Sequence, residues 1–161
     1  MLDNIVQWLD ETALAETVRS GDVIFPWLES VHVLAVALVL GSIAVVDLRL
    51  LGLGSVNRPV TTLVRQVLPI TWLAFAVAVV TGAAMFISNA VEYAKNLPFQ
   101  LKLLLLALAG INMLAFHFVT YRDVSQWSEA RRPPFAARIA GAFSIFSWVA
   151  IVTLGRWIGF V

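Results

Sequence analysis

Glu29 and His32 stand at the head of an almost continuously apolar run, "PWLESVHVLAVALVLGSIAVVDLRLLG", from Pro26 to Gly52. Residues at i and i+3 share one face of a helix, so a carboxylate and an imidazole lie together where charge is costly. An imidazole in such a place suits iron, and Met85 is a soft side chain for the opposite coordination position, since His/Met pairs hold haem iron. Lys102 and Arg156 would meet the propionates, and Glu29 would line the site beside His32. His117 is the other histidine of the chain and the second choice as ligand for haem iron or another metal. The competing reading of the same residues is neutralisation. Glu29 then pairs with Lys102 or Arg156, and His32 is a satisfied core histidine.

Membrane helices must position these residues. The 161-residue chain is 60% hydrophobic and 13% charged, with a mean hydropathy of +0.88, whereas soluble domains carry about 25% charged residues. There is no cysteine, which excludes disulfides and thiolate metal sites. A net charge of +1 without a basic run gives no reason to expect nucleic acid. No nucleophile–base set, Gly-rich phosphate loop or zinc-type cluster is present, so no catalytic residue is assigned.

A helix crosses a bilayer with about 20 apolar residues. Four segments meet that length, over about 24–46, 67–88, 99–121 and 138–160. Short connections make successive spans antiparallel. The expected fold is all-α, a polytopic up-down-up-down four-helix membrane bundle over residues 24–161. Residues 1–23 carry five acids against the single Arg19 and so do not read as a cleavable signal. Ile5, Trp8 and Leu9 share one face of that segment, which predicts a short amphipathic helix on the membrane surface or against the ends of the spans.

Lys and Arg in short loops set orientation. The first loop holds Arg49, Arg58 and Arg65 and the third holds Arg122, Arg131, Arg132 and Arg138, against Lys95 alone in the second. Both termini are therefore expected on the periplasmic side of a bacterial inner membrane. Helix rise then gives depth: His32 lies about 9 Å inward from that side and His117 about 25 Å, a separation of roughly 16 Å. One iron cannot take both imidazoles of one chain without a large offset between helices. Each histidine has its own haem, or facing subunits of a homo-oligomer bring ligands to one level. Asp47 and Arg49 read as an interfacial ion pair. Gly110, Met113 and His117 share a face on which a flat macrocycle or a tight helix crossing fits.

"ESVHVLAVALVLGSIAVVDLRLLG" looks like the first span of a small bacterial inner-membrane family of unknown function, and more distantly resembles the J-type protoporphyrinogen oxidases and the copper-resistance D membrane proteins. "LPFQLKLLLLALAGINMLAFH", with Lys102-Leu103 and then His117, is similar to the Lys-Leu…His span of that haem-containing oxidase. The resemblance implies a b-type haem and tetrapyrrole- or quinone-linked redox chemistry around His32, Lys102 and His117. The function expected is electron transfer by an inner-membrane haem protein between a quinone in the bilayer and an acceptor at the outer face. The alternatives are copper or other metal handling through Met85, His32 and Glu29, and a structural subunit without a cofactor.

Overall fold

The computed structural model describes residues 2–160, so Met1 and Val161, the ends of the two expected segments, lie outside the described residues. The elements are α1 (Leu2–Asp10), α2 (Ala13–Ser20), α3 (Ile24–Leu51), α4 (Val60–Ser88), α5 (Ala90–Lys95), α6 (Leu97–Ala115), α7 (Val124–Trp127) and α8 (Phe135–Trp157). A π-helical turn over Phe116–Thr120 and a 3₁₀ turn over Tyr121–Asp123 join α6 to α7. Among the described residues there is no strand. Four helical stretches are long and apolar enough to cross a membrane: Ile24–Leu51, Val60–Ser88, Leu97–Trp127 and Phe135–Phe160. The all-α membrane bundle is the observed architecture.

The spans are longer than expected, and the first connection is correspondingly shorter. It covers only 52–59, because Asp47 and Arg49 are buried inside α3 instead of lying in a loop. Gly52 ends α3 in the left-handed conformation at φ 74°, where a side chain would be strained. Its backbone also passes close to the third connection, since a Cβ there would stand 3.3 Å from the Arg131 carbonyl oxygen. Pro59 then opens α4. The expected second loop contains α5, which packs against α1.

Packing order differs from chain order. The tightest pair is α3 with α4, α8 lies against both α3 and α6, and α4 meets α6 chiefly near α5, where Phe86 stacks on Phe99 at 5.2 Å. The spans thus follow the order α4–α3–α8–α6, with α5 carrying the chain between the two outer helices. The cause lies in which faces are small. The buried positions of α4 in its membrane part are Thr71, Ala74, Ala78, Thr81 and Ser88, and Ala74 packs with Val39 of α3. In lipid, helices gain by letting backbones come close through small residues and by hydrogen bonds between them. Here Thr71 Oγ1 donates to Ser42 Oγ at 2.8 Å across the pair. Large side chains such as Leu34, Leu73, Leu104 and Phe146 point outward. Only 6% of the most apolar stretch of the third span is buried within the protein, so the rest is satisfied by lipid.

At the end of the bundle that carries the termini, α1 and α2 form a separate layer. Thr12 caps α2 by accepting from the Ala15 N–H. Arg19 joins the two helices through the Asp10 carboxylate at 3.2 Å and the Asp10 carbonyl at 2.8 Å. The layer packs on α4 and α5, while Ile5 and Trp8 stay exposed.

The opposite end is organised by Arg49, which is fully buried at 0% exposure. The expected Asp47–Arg49 ion pair does not form, because residues at i and i+2 point to opposite sides of a helix. Arg49 Nε donates to the Arg58 carbonyl at 2.8 Å, and Nη2 donates to the carbonyls of Ser128 at 3.1 Å and Ala130 at 3.0 Å. One guanidinium therefore holds the first and third connections together. Ser128 reinforces the junction by accepting the Val60 N–H at its carbonyl and the Thr61 N–H at its hydroxyl. Leu50, Val60, Trp127 and Ala137 close an apolar cluster around it.

Arg49→Met should therefore lower stability by on the order of 3 kcal/mol, since it leaves carbonyls without the donors that folding provides. Arg49→Lys should recover only part, because an ammonium cannot reproduce the planar fork. Thermal melts in detergent, with limited proteolysis of residues 128–134, test this. A wild-type melt and cleavage pattern for Arg49→Met would remove the clamp from the account.

Candidate functional site

His32 lies in the third turn of α3, counted from Ile24, on the face turned to α4. Two adjacent residues of α4 receive it. Gly82 presents no side chain, and a Cβ placed there would stand 3.0 Å from His32 Cε1. The imidazole occupies the space that any larger residue would need. Thr81, itself buried, has its hydroxyl oxygen 3.0 Å from His32 Nδ1.

The direction of that hydrogen bond follows from the hydroxyl's single proton. With that proton on the Val77 carbonyl at 2.7 Å, His32 Nδ1 is the donor to Thr81 Oγ1 and Nε2 is the unprotonated nitrogen. This is the arrangement of a ligating histidine, whose second nitrogen is tied to a fixed acceptor that sets tautomer and ring plane. The Ala78 backbone also lies within hydrogen-bonding reach of the His32 ring.

Lys102 approaches from α6. Its aliphatic chain runs along Gly155 of α8, with Nζ 3.4 Å from the Cβ position of that glycine. Its ammonium is within electrostatic reach of the His32 ring. Among the described residues it makes no ion pair, because the one salt bridge found there joins Arg19 to Asp10. A half-buried cation at membrane depth without a counter-charge is unusual, since such groups ordinarily pair. Met85 follows Thr81 by one turn on the same face of α4 and is half-buried.

Other expected members stand elsewhere. Glu29 is exposed and pairs with neither Lys102 nor Arg156. Its carboxylate faces the α5 turn, where burial, then Glu92 and Glu29 push the Tyr93 phenol above its ordinary range. Arg156 is exposed, its guanidinium 5.2 Å from the centroid of the Phe160 ring. Both departures have one cause: the i, i+3 relation puts Glu29 and His32 on neighbouring lines of α3, and the helix is rotated so that only the His32 line faces inward.

His117 is remote from this site. It lies in the π-helical turn toward the other end of α6, exposed, with its ring stacked on Tyr121 at 5.6 Å and 14°. Helix rise from Leu97 puts it about 30 Å along the span, against about 12 Å for His32 from Ile24, so the two imidazoles stay at different levels. Nothing approaches a Cβ placed on Gly110, so that glycine serves no helix crossing within the chain. Asn112 instead bridges α6 to α8 by donating to the Ala140 carbonyl at 3.1 Å. Among the described residues no group of three or more His, Cys, Asp or Glu side chains converges.

Thr81 and Gly82 were not expected as partners of His32. The signal was the dipeptide Thr81-Gly82 inside the run "AVVTGAAMF", a hydroxyl and a missing side chain side by side in an otherwise apolar helix.

Residues 6–161 match the model of the family described as "Family of unknown function (DUF6644)", and the chain belongs to that family. No curated protein and no solved structure matches it.

Thr81→Val keeps the shape of the side chain but removes the acceptor. Nitrogen-15 NMR of histidine-labelled protein should show His32 as the Nδ1–H tautomer in the wild type and in Thr81→Ser. In Thr81→Val it should show a mixture, with a stability loss of about 1 kcal/mol. An unchanged tautomer in Thr81→Val would mean that the hydroxyl does not orient the ring.

Proposed function

We propose that the protein is a b-type haem protein of a bacterial inner membrane, passing electrons between a quinone in the bilayer and an acceptor on the side of its termini. His32 is the residue that would hold its iron. The observation that carries this reading is the His32 ring fixed against Gly82 with Nδ1 3.0 Å from the Thr81 hydroxyl oxygen. Lys102 is the second support, a cation without a counter-charge near that ring, suited to a propionate. Met85, on the Thr81 face of α4, is the protein's candidate for the opposite ligand. When bound, the haem supplies a one-electron carrier, the iron alternating between its ferric and ferrous states.

The chain's own contribution is to hold the imidazole in one tautomer, to neutralise an acid beside it and to keep water away. Glu29 and Arg156, both exposed, act at most through the field at the rim of the site. His117 belongs to a second, separate position, where it would serve another haem or a neighbouring copy in a homo-oligomer. The open face at Gly110 and the exposed Met113 leave room for either. The excess of arginine at the end clamped by Arg49 supports placing that end in the cytoplasm. Exposed Ile5 and Trp8 support α1 lying in the membrane surface on the other side. The likeness of the Lys102…His117 span to the haem-containing oxidase points the same way.

His32→Ala, expressed in haem-replete cells, should purify as a folded helical protein that has lost the haem held at His32, its Soret absorbance per chain reduced accordingly. His117→Ala should keep the His32-bound haem, and Lys102→Met should lower its occupancy several-fold. A His32→Ala protein with an undiminished haem complement would make His32 a packing residue and end this reading.

A further inference from the structure

Asp47 is a buried acid that the proposed site does not use. It is 6% exposed, about one turn from the Leu51 end of α3. The Ser144 hydroxyl of α8 donates a hydrogen bond to its carboxyl group, while Oδ2 is buried without any partner. Gly141 of α8 is what lets the two helices close over it: a Cβ there would stand 3.1 Å from the Asp47 carbonyl oxygen. One turn beyond Ser144 on the same face of α8, Ser147 Oγ is also buried and unpartnered.

No cation balances this acid. Arg49 on its own helix is turned to the three loop carbonyls. Arg65 on α4 and Arg138 on α8 are exposed. Among the described residues no salt bridge includes Asp47. An ionised carboxylate removed from water with neither cation nor a full set of donors is too costly to persist, and such a group takes up a proton instead. Ionisable side chains kept inside a membrane protein at that cost mark ion and proton pathways. Two oxygens, Oδ2 and Ser147 Oγ, are too few for a metal cation, which needs six or more when the ligands are hard, but they are enough for a proton.

We propose that Asp47 is a proton-binding site, taking up one proton at Oδ2 from the aqueous phase at the Arg49 end and returning it there. The reaction is balanced by the carboxyl alone: the carboxylate gains a proton and becomes the acid, and the reverse step releases it. At this end of the bundle a hollow of about 570 Å³ opens between the first and third connections, lined by Asn57, Arg58, Glu129 and Arg131. The site stands independently of haem at His32, and neither result below depends on a cofactor.

Infrared spectroscopy of the full chain in nanodiscs tests it. At neutral pH the wild type should show a protonated-carboxyl C=O band that shifts with carbon-13 at the aspartate carboxyl, shifts again in D₂O and disappears in Asp47→Asn. Asparagine can keep the Ser144 bond, so that variant should fold. Should it not fold, labelled protein carrying Asp3→Asn decides, because of the other aspartates Asp10 is ion-paired and Asp22 and Asp123 are exposed. Absence of the band in the wild type, its persistence in folded Asp47→Asn, or a band indifferent to D₂O would each overturn the proposal.

Discussion

Helices in a bilayer cannot be held together by expelling water, because lipid already solvates their apolar side chains. They must be held by close backbone approach and by hydrogen bonds that lipid cannot offer. In this protein that constraint falls on α3. Its inward face is built from Ala35, Val39, Ser42, Asp47, Arg49 and Leu50, small or polar for most of its length. It packs against α4 on one side and α8 on another. Every polar feature of consequence is either on α3 or facing it: His32 toward Thr81, Ser42 toward Thr71, Asp47 toward Ser144, Arg49 toward the loops.

The same constraint explains why ion pairs are so few among the described residues. Two charges desolvated together regain their hydration only when geometry and further hydrogen bonds are good. Neutral and half-neutral solutions dominate instead. Arg49 gives Nε and Nη2 to backbone carbonyls, and His32 meets the Thr81 hydroxyl at Nδ1. Against that background the groups left over are conspicuous. They are the Lys102 ammonium, which makes no ion pair among the described residues, and the buried, unpartnered Asp47 Oδ2, Ser147 Oγ and Arg49 Nη1. The first lies near the end that carries the termini, and Asp47 and Arg49 lie near the opposite end.

Composition and span length made the membrane class, the four spans and their alternation legible in the sequence, since an unbroken apolar run of that length has few other uses. The depth of His32 and His117 was also legible, because rise per residue is fixed. What could not be read was rotation. Spacing says that Glu29 and His32 lie on adjacent lines of one helix, but not which line faces the bundle, and the structure turns Glu29 outward. Asp47 and Arg49 looked like a pair because they are close in sequence, although an i, i+2 spacing sends them to opposite sides. The neighbours of α6 were equally hidden: chain order suggests α4, yet the small face of α8 takes that position. Thr81-Gly82 shows that a local signal was present but had no meaning until α4 was seen against α3.

The central claim is that the His32 nitrogen left free by Thr81 binds haem iron. The most direct measurement is the haem content of the wild-type protein, purified from haem-replete cells and assayed as the pyridine haemochrome against protein concentration. The account predicts at least one haem b per chain, with an oxidised spectrum of a histidine-ligated iron. Protein that is folded, helical and free of tetrapyrrole absorbance would contradict it.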